Sequence, residues 1–189
     1  TIQRNDLPSI DPDRRVLGVI RPSAEIVNEH TTSKHIGIFG TNGTVTSNSY
    51  PIEIGNLYPD ISVVQEACPM WVPLVESNEY DTPGGTYFIE KHLKSILAKD
   101  PKVDLIVLGC THYPILEKQI QAMLPDGIKL LEQGEIVANS LKDYLSRHPE
   151  MDEKCSKEGT VRFTTTADPD QFSQKAELIL GREIKVEQV

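Results

Sequence analysis

Three side chains able to carry chemistry stand together directly after Gly109: Cys110, Thr111 and His112. An ionised thiol is a nucleophile and a proton carrier, and an imidazole two residues away exchanges protons near neutral pH. Leu105, Ile106, Val107 and Leu108 precede them as an unbroken apolar run. A run of that length closed by glycine reads as a strand buried on both faces. Pro114 suits the first turn of a helix, where a missing N–H costs little. Cys110 then lies where the carboxyl end of a strand meets the amino end of a helix. Ligands bind at that place in open α/β sheets, and free helix N–H groups there favour thiolate over thiol. Taken alone, a Cys-x-His triplet more often belongs to a packed core; the strand-to-helix setting weighs against that.

Two further stretches offer polar groups of the right kind. In Gly40-Thr41-Asn42-Gly43-Thr44 the glycines relax a turn, and amides at a helix start can hold an anion beside two threonine hydroxyls. No lysine follows the second glycine, so this is not a P-loop, and a plain βα loop with a threonine cap fits the spacing equally well. Glu76 follows Val72-Pro73-Leu74-Val75 and is expected to be partly desolvated, or else to be an ordinary helix-end carboxylate. Cys68, ahead of Met70 and Trp71, is expected to fill the core, and Cys155, between Lys154 and Ser156, to be exposed. His30, His35, His92 and His148 are expected on the solvated surface. No His, Cys and carboxylate set has metal-ligand spacing, and no Gly-x-Gly-x-x-Gly marks a dinucleotide site. Spacing alone does not exclude pyridoxal chemistry.

The elements that must position these groups follow from periodicity. Strands are expected over 16–20, 34–40, 61–65, 105–108 and 129–131, with Pro22 stopping the first. Helices are expected over 23–29 (capped at Ser23), 43–57, 86–99 and 114–124, with a short apolar turn or helix at 70–76. Ile2, Leu7 and Ile10 suggest a helix end in an otherwise polar lead-in. This βα rhythm predicts an α/β fold, with a parallel sheet and helices on both faces. Beyond it come a helix over 135–145, a charged loop over 148–158, a strand over 160–166 and a last strand over 183–189. Between those strands, Asp168 as cap, Pro169 at the first position and Gly181 at the stop frame a helix over 168–180.

Composition narrows the class. The 189 residues carry a net charge of −9 with dispersed basic residues, which argues against a nucleic-acid partner. No apolar run reaches the length of a membrane span and no secretory signal opens the chain. Three cysteines with no C-x-x-C suit neither a disulfide framework nor a zinc knuckle, so reduced thiols and a cytoplasmic location are expected.

The stretch Leu-Gly-Cys-Thr-His-Tyr-Pro (108–114) resembles the C-terminal cysteine motif of the glutamate racemases, in the cofactor-independent aspartate/glutamate racemase superfamily. Residues 36–50, Ile-Gly-Ile-Phe-Gly-Thr-Asn-Gly-Thr-Val-Thr-Ser-Asn-Ser-Tyr, and 67–76, Ala-Cys-Pro-Met-Trp-Val-Pro-Leu-Val-Glu, are similar to that family in the same order. The resemblance spans roughly 16–138 well and the tail loosely. It implies interconversion of L- and D-glutamate without a cofactor or metal, supplying D-glutamate for peptidoglycan. Cys110 would be one of two proton-transfer thiols and His112 its assistant, with Glu76 orienting or tuning that histidine. Thr41, Thr44 and Thr111 would hold substrate. The family's Asp-Ser-Gly loop and first Cys-Asn-Thr cysteine have no counterpart here. The resemblance therefore implies a chain that begins after them and is inactive alone. It divides the chain into a lead-in (1–20), a complete α/β domain (21–132) and the C-terminal part of a second, incomplete α/β domain (133–189). Homodimers occur in the family. An aspartate or hydantoin racemase, or a non-catalytic ligand-binding domain on the same half-fold, are the alternatives.

Overall fold

A computed structural model describes residues 6–189 of the chain; Ile2, one of the three residues suggesting an early helix end, lies outside them. After a single helical turn (α1, Leu7–Ile10) come α2 (Ile20–His30), β1 (His35–Gly40), α3 (Asn42–Ser47), α4 (Ser49–Leu57) and β2 (Ser62–Ala67). They are followed by α5 (Trp71–Glu76), α6 (Pro83–Lys99), β3 (Leu105–Leu108), a 3-10 turn (Tyr113–Leu116), α7 (Glu117–Met123) and β4 (Lys129–Leu131). The four strands form one parallel sheet in the order β2-β1-β3-β4.

The alternation of side chains along β1 and β3 divides the core in two. Ile36, Ile38, Leu105 and Val107 face one way, against Ala24 and Val27 of α2 and Tyr50 and Ile54 of α4. Phe39, Ile106 and Leu108 face the other, against Trp71 of α5, Ile89, Leu93 and Ile96 of α6, and Ile120 of α7. All four residues of β3 are buried, as a strand covered on both faces requires. The connection from β1 to β2 runs over the first face, and those from β2 to β3 and β3 to β4 over the second, as right-handed crossovers demand.

The tail forms α8 (Gly134–Arg147), α9 (Pro149–Asp152), β5 (Phe163–Thr165), α10 (Pro169–Leu180) and β6 (Val186–Gln188). β5 and β6 pair in parallel, joined by α10. Asp168 caps α10 by accepting from the N–H groups of Asp170 and Gln171, and Gly181 stops it at φ 64°. Among the described residues no helix is long and apolar enough to cross a membrane.

Several expectations are corrected. Residues 16–18 are irregular, Ile20 already belongs to α2, and Val16, Leu17 and Val19 are exposed, with no strand paired to them among the described residues. Pro22 sits in the first turn of α2, where its missing N–H is harmless, so it does not mark the helix start. Ser23 is buried inside that helix and accepts from Gln133 Nε2 at 2.9 Å; it is no cap. The single helix over 43–57 is two, broken at Asn48 (φ 53°). Pro51 explains the break, because its ring would clash with the carbonyl four residues earlier in a continuous helix. The loop over 148–158 contains the short α9.

His92 is not on the surface. It is buried at 6% exposure, and its Nδ1 donates to Glu66 Oε1 at 2.7 Å. Ser95 Oγ (2.8 Å) and Lys99 Nζ (2.6 Å), from the same stripe of α6, donate to Glu66 Oε2. His35 is half-buried and paired with Asp100 at 2.6 Å. Burial alone would raise the Glu66 carboxyl, but the bonds from Lys99, His92 and Ser95 outweigh it and hold its pKa below the usual glutamate value. At the amino-terminal ends of the central strands, Asp104 accepts from the N–H groups of Thr32 and Ser33 (each 2.7 Å) and from the Thr31 and Thr32 hydroxyls, fastening the loop before β1 to the start of β3. Burial again opposes, and these bonds again prevail, keeping the carboxyl well below the usual range.

Glu66→Gln is expected to lower the unfolding free energy at pH 7 by about 1–2 kcal/mol, since it strips the charge from a buried acceptor of three donors, while Lys99, exposed and also bonded to Gln65 O, keeps a partner. A depressed folded-state pKa contributes stability above the unfolded-state value and loses it as pH falls through the folded one. Wild type and variant should therefore converge in acid, as read from urea midpoints over a pH series.

Candidate active site

The outgoing chain of β1 turns toward β2, and that of β3 turns toward β4, so the sheet reverses direction between these two neighbours. A crevice opens at such a switch point beyond the carboxyl ends of the strands. Phe39 is level with Leu108, and Gly109 N donates to Phe39 O at 2.8 Å. The loops that begin at Thr41 and Cys110 therefore leave adjacent strands, about 4.8 Å apart, at the same edge.

Gly109 permits this approach. A Cβ there would stand 2.8 Å from Phe39 O and 3.0 Å from Tyr50 Cε2, so any side chain would push β3 away from β1. Cys110 follows half-buried, its body against the core on the α5–α6 side. The next turn is pinned from below: Tyr113 is buried, donates its hydroxyl to Cys68 O at 3.1 Å and meets Trp71 at 4.9 Å in an edge-on contact. Pro114 lies at the start of the 3-10 turn, which comes before α7 rather than being part of one continuous helix.

Thr41 caps α3, its Oγ1 accepting from Thr44 N at 3.2 Å and lying 3.1 Å from Thr44 Oγ1. Both are half-buried, whereas Thr111 beside Cys110 is exposed. His112 is half-buried with Nε2 at 3.5 Å from Glu76 Oε1. Glu76, the last residue of α5, is exposed rather than desolvated, because it stands at the helix end facing the cleft, and its Oε2 accepts from Lys175 Nζ of α10 at 3.1 Å. A cleft of about 420 Å³ separates α10 from this corner, walled by Glu76, His112, Val75, Phe172, Lys175 and Ile179 among others. Its wall takes in Glu76 and His112; Cys110, Thr41, Thr44 and Thr111 are not part of it.

The other cysteines divide as the sequence suggests. Cys68 is 1% exposed, and burial pushes its thiol far above the ordinary range, so it stays protonated at neutral pH. Cys155 is exposed, donating to Met151 O. Nothing local in the sequence marks Lys175 or Gln133, whereas Tyr50 closes the 36–50 stretch. The Tyr50 phenol, pushed up to about 12 by burial and further by the nearby Cys110, hydrogen-bonds to Gln133, which opposes the rise. It is a neutral hydroxyl at physiological pH. Just beyond β4, Glu132 hydrogen-bonds to Glu117; that contact, with burial and mutual repulsion, pushes its pKa up to about 7. Only burial and charge arguments on the folded chain reveal such pairs. Among the described residues no group of three or more His, Cys, Asp or Glu is placed to hold a metal ion.

No family model matches the chain. It is similar to glutamate racemase 2 of Caldanaerobacter subterraneus, 34% identical over 174 residues, which is 91% of this chain and 64% of that protein. It is also similar to the glutamate racemase of Streptococcus agalactiae, 36% identical over 177 residues, 94% of this chain and 66% of that protein. Among solved structures, a glutamate racemase isoform from Bacillus anthracis superimposes with a TM-score of 0.84 at 30% identity, covering 97% of this chain and 68% of that one. The chain thus spans somewhat under two thirds of the length of these curated relatives.

Exposure makes a direct prediction. Brief treatment with iodoacetamide should modify Cys110 and Cys155 and spare Cys68 until denaturant is added, as read by peptide mass mapping. Labelling of Cys68 as fast as Cys110 in the native chain would contradict the burial described.

Proposed function

The chain belongs to the glutamate racemase family, and on that premise we propose that it carries one of two proton-transfer thiols of a cofactor-independent enzyme interconverting L- and D-glutamate. The observation that carries this reading is the position of Cys110: a half-buried thiol at the switch point, between the Thr41 loop and a His112–Glu76 contact. The α-carbon of an amino acid is a very weak acid, so a base must touch it and the developing negative charge must be stabilised. In one direction the Cys110 thiolate takes the α-proton as the C–H bond breaks and its electron pair stays on carbon. A thiol on the opposite face then donates its proton to that pair, inverting the centre. In the other direction the roles exchange.

His112 assists Cys110 by accepting or returning its proton, and Glu76 favours the imidazole orientation that does so. Thr41, Thr44 and Thr111 bind the substrate's carboxylates and amine, with the α3 amides beside Thr41 adding partial positive charge. The opposite thiol is not among these 189 residues: Cys68 is sealed in the core as a thiol, and Cys155 lies beyond α9 on the surface. The first-cysteine motif of the family would supply it. On this reading residues 21–132 form the complete domain and 133–189 the remainder of a partner domain, with 1–20 as the lead-in to it. The activity supplies D-glutamate for peptidoglycan in the cytoplasm. Relatives at 34% and 36% identity bear the glutamate racemase name, which favours glutamate over aspartate or a hydantoin.

Circular dichroism of glutamate solutions tests the proposal. The full-length protein should racemise either enantiomer and exchange its α-hydrogen with deuterated water, and Cys110→Ala should abolish racemisation. The 189-residue chain alone should give no turnover; turnover from it, lost on Cys110→Ala, would overturn the two-thiol assignment.

A further inference from the structure

We propose that Lys175 of α10 is a positioning residue for His112, acting through Glu76; this rests on the racemase reading above. Lys175 Nζ donates to Glu76 Oε2 at 3.1 Å, while Glu76 Oε1 faces His112 Nε2 at 3.5 Å. One carboxylate thus bridges an ammonium and an imidazole, one oxygen to each.

The bridge answers two physical problems. A glutamate carboxylate turns freely about its last torsion, so a single contact to His112 does not fix its plane. A second contact on the other oxygen does. Glu76 also ends α5, where unpaired carbonyls make a carboxylate unwelcome and a cation beside it favourable. Lys175 supplies that cation from a helix whose ends are firmly set by the Asp168 cap and the Gly181 stop. Asp168, Phe172, Lys175 and Ile179 recur at helical spacing along the stripe of α10 that walls the cleft. Phe172 and Ile179, with Val75 opposite, line the same cleft as the ion pair. Asp168 is the other charged group of the cleft wall, and its carboxylate is already engaged by two backbone N–H groups.

An incidental surface ion pair would have the same distances but no catalytic consequence, since exposed pairs contribute little. Steady-state kinetics of the full-length protein separates the two. Lys175 is exposed, so Lys175→Met removes no core packing. Its kcat should fall about tenfold with KM for glutamate within about twofold of wild type, the signature of lost alignment rather than lost binding. Lys175→Arg should recover activity to within about twofold. In a Glu76→Gln background Lys175→Met should have no further effect, because its influence passes through that carboxylate. An unchanged kcat for Lys175→Met, or an effect additive with Glu76→Gln, overturns the proposal and leaves the racemase reading standing. A wild-type protein that fails to racemise glutamate or exchange its α-hydrogen overturns the racemase reading instead, and this role with it.

Discussion

β3 governs this molecule. Its four residues are covered on both faces and flanked by β1 and β4, so none of its side chains reaches water. A strand so enclosed cannot carry chemistry along its length. Its polar residues are displaced to its end, and the first residue free to present a reactive side chain is Cys110. Gly109 makes the transition possible, because β1 approaches too closely there for a Cβ. Burial of one strand and the reversal of the sheet beside it thus place the thiol and the Thr41 loop together.

Polar groups frame this enclosed strand at two other places. Asp104 gathers the loop before β1 at the lower edge, and Glu66 binds β2 to α6 through three side chains. Both carboxylates are held charged against the pull of burial by several hydrogen bonds each, which is the condition under which a buried charge is tolerated. They hold the starts of β1 and β3 and the flanking helix in place, so that the strand ends leading to Thr41 and Cys110 rest on a frame rather than on loops alone. The histidine of this frame, His92, and the histidine of the candidate site, His112, belong to the same residue type but opposite environments. One is enclosed by a carboxylate and Trp71; the other is open on one side and touches its carboxylate loosely.

What the sequence made legible follows from whether the governing contacts are local. Leu105–Leu108 is unambiguous because burial on both faces leaves an unbroken apolar run, and the Asp168–Pro169…Gly181 frame of α10 is written in residues next to the backbone they cap. Residues 16–20 mislead because Val16, Leu17 and Val19 have strand-like character, yet among the described residues no strand pairs with them. The break at Asn48 is legible in Pro51, whose ring forbids one continuous helix, although the apolar spacing around it runs on unbroken. His92 stands three residues after Ile89 and four before Ile96, so its helix spacing does put it on the buried stripe; what the helix does not reveal is its partner Glu66, 26 positions earlier on another element. Lys175 is the extreme case: 99 positions separate it from Glu76, and nothing local distinguishes it from any solvated lysine.

The contrast in magnitude between frame and site bears on how such a centre is built. Breaking a buried ion cluster costs about 3–5 kcal/mol, whereas a half-exposed pair such as Lys175–Glu76 contributes about 0–1 kcal/mol to folding. Folding therefore places no demand on the alignment of Glu76 between His112 and α10. A rate, by contrast, changes tenfold for about 1.4 kcal/mol in a barrier, and misplacement of a catalytic group by about 1 Å can have a larger effect still. The weak contacts are thus where orientation can be adjusted without endangering the fold. They also sit where the tail meets the α/β unit, at the cleft between α10 and α5. A rigid strand end thus carries Cys110, and a loosely held contact carries His112, so the two kinds of interaction divide the labour of building this corner.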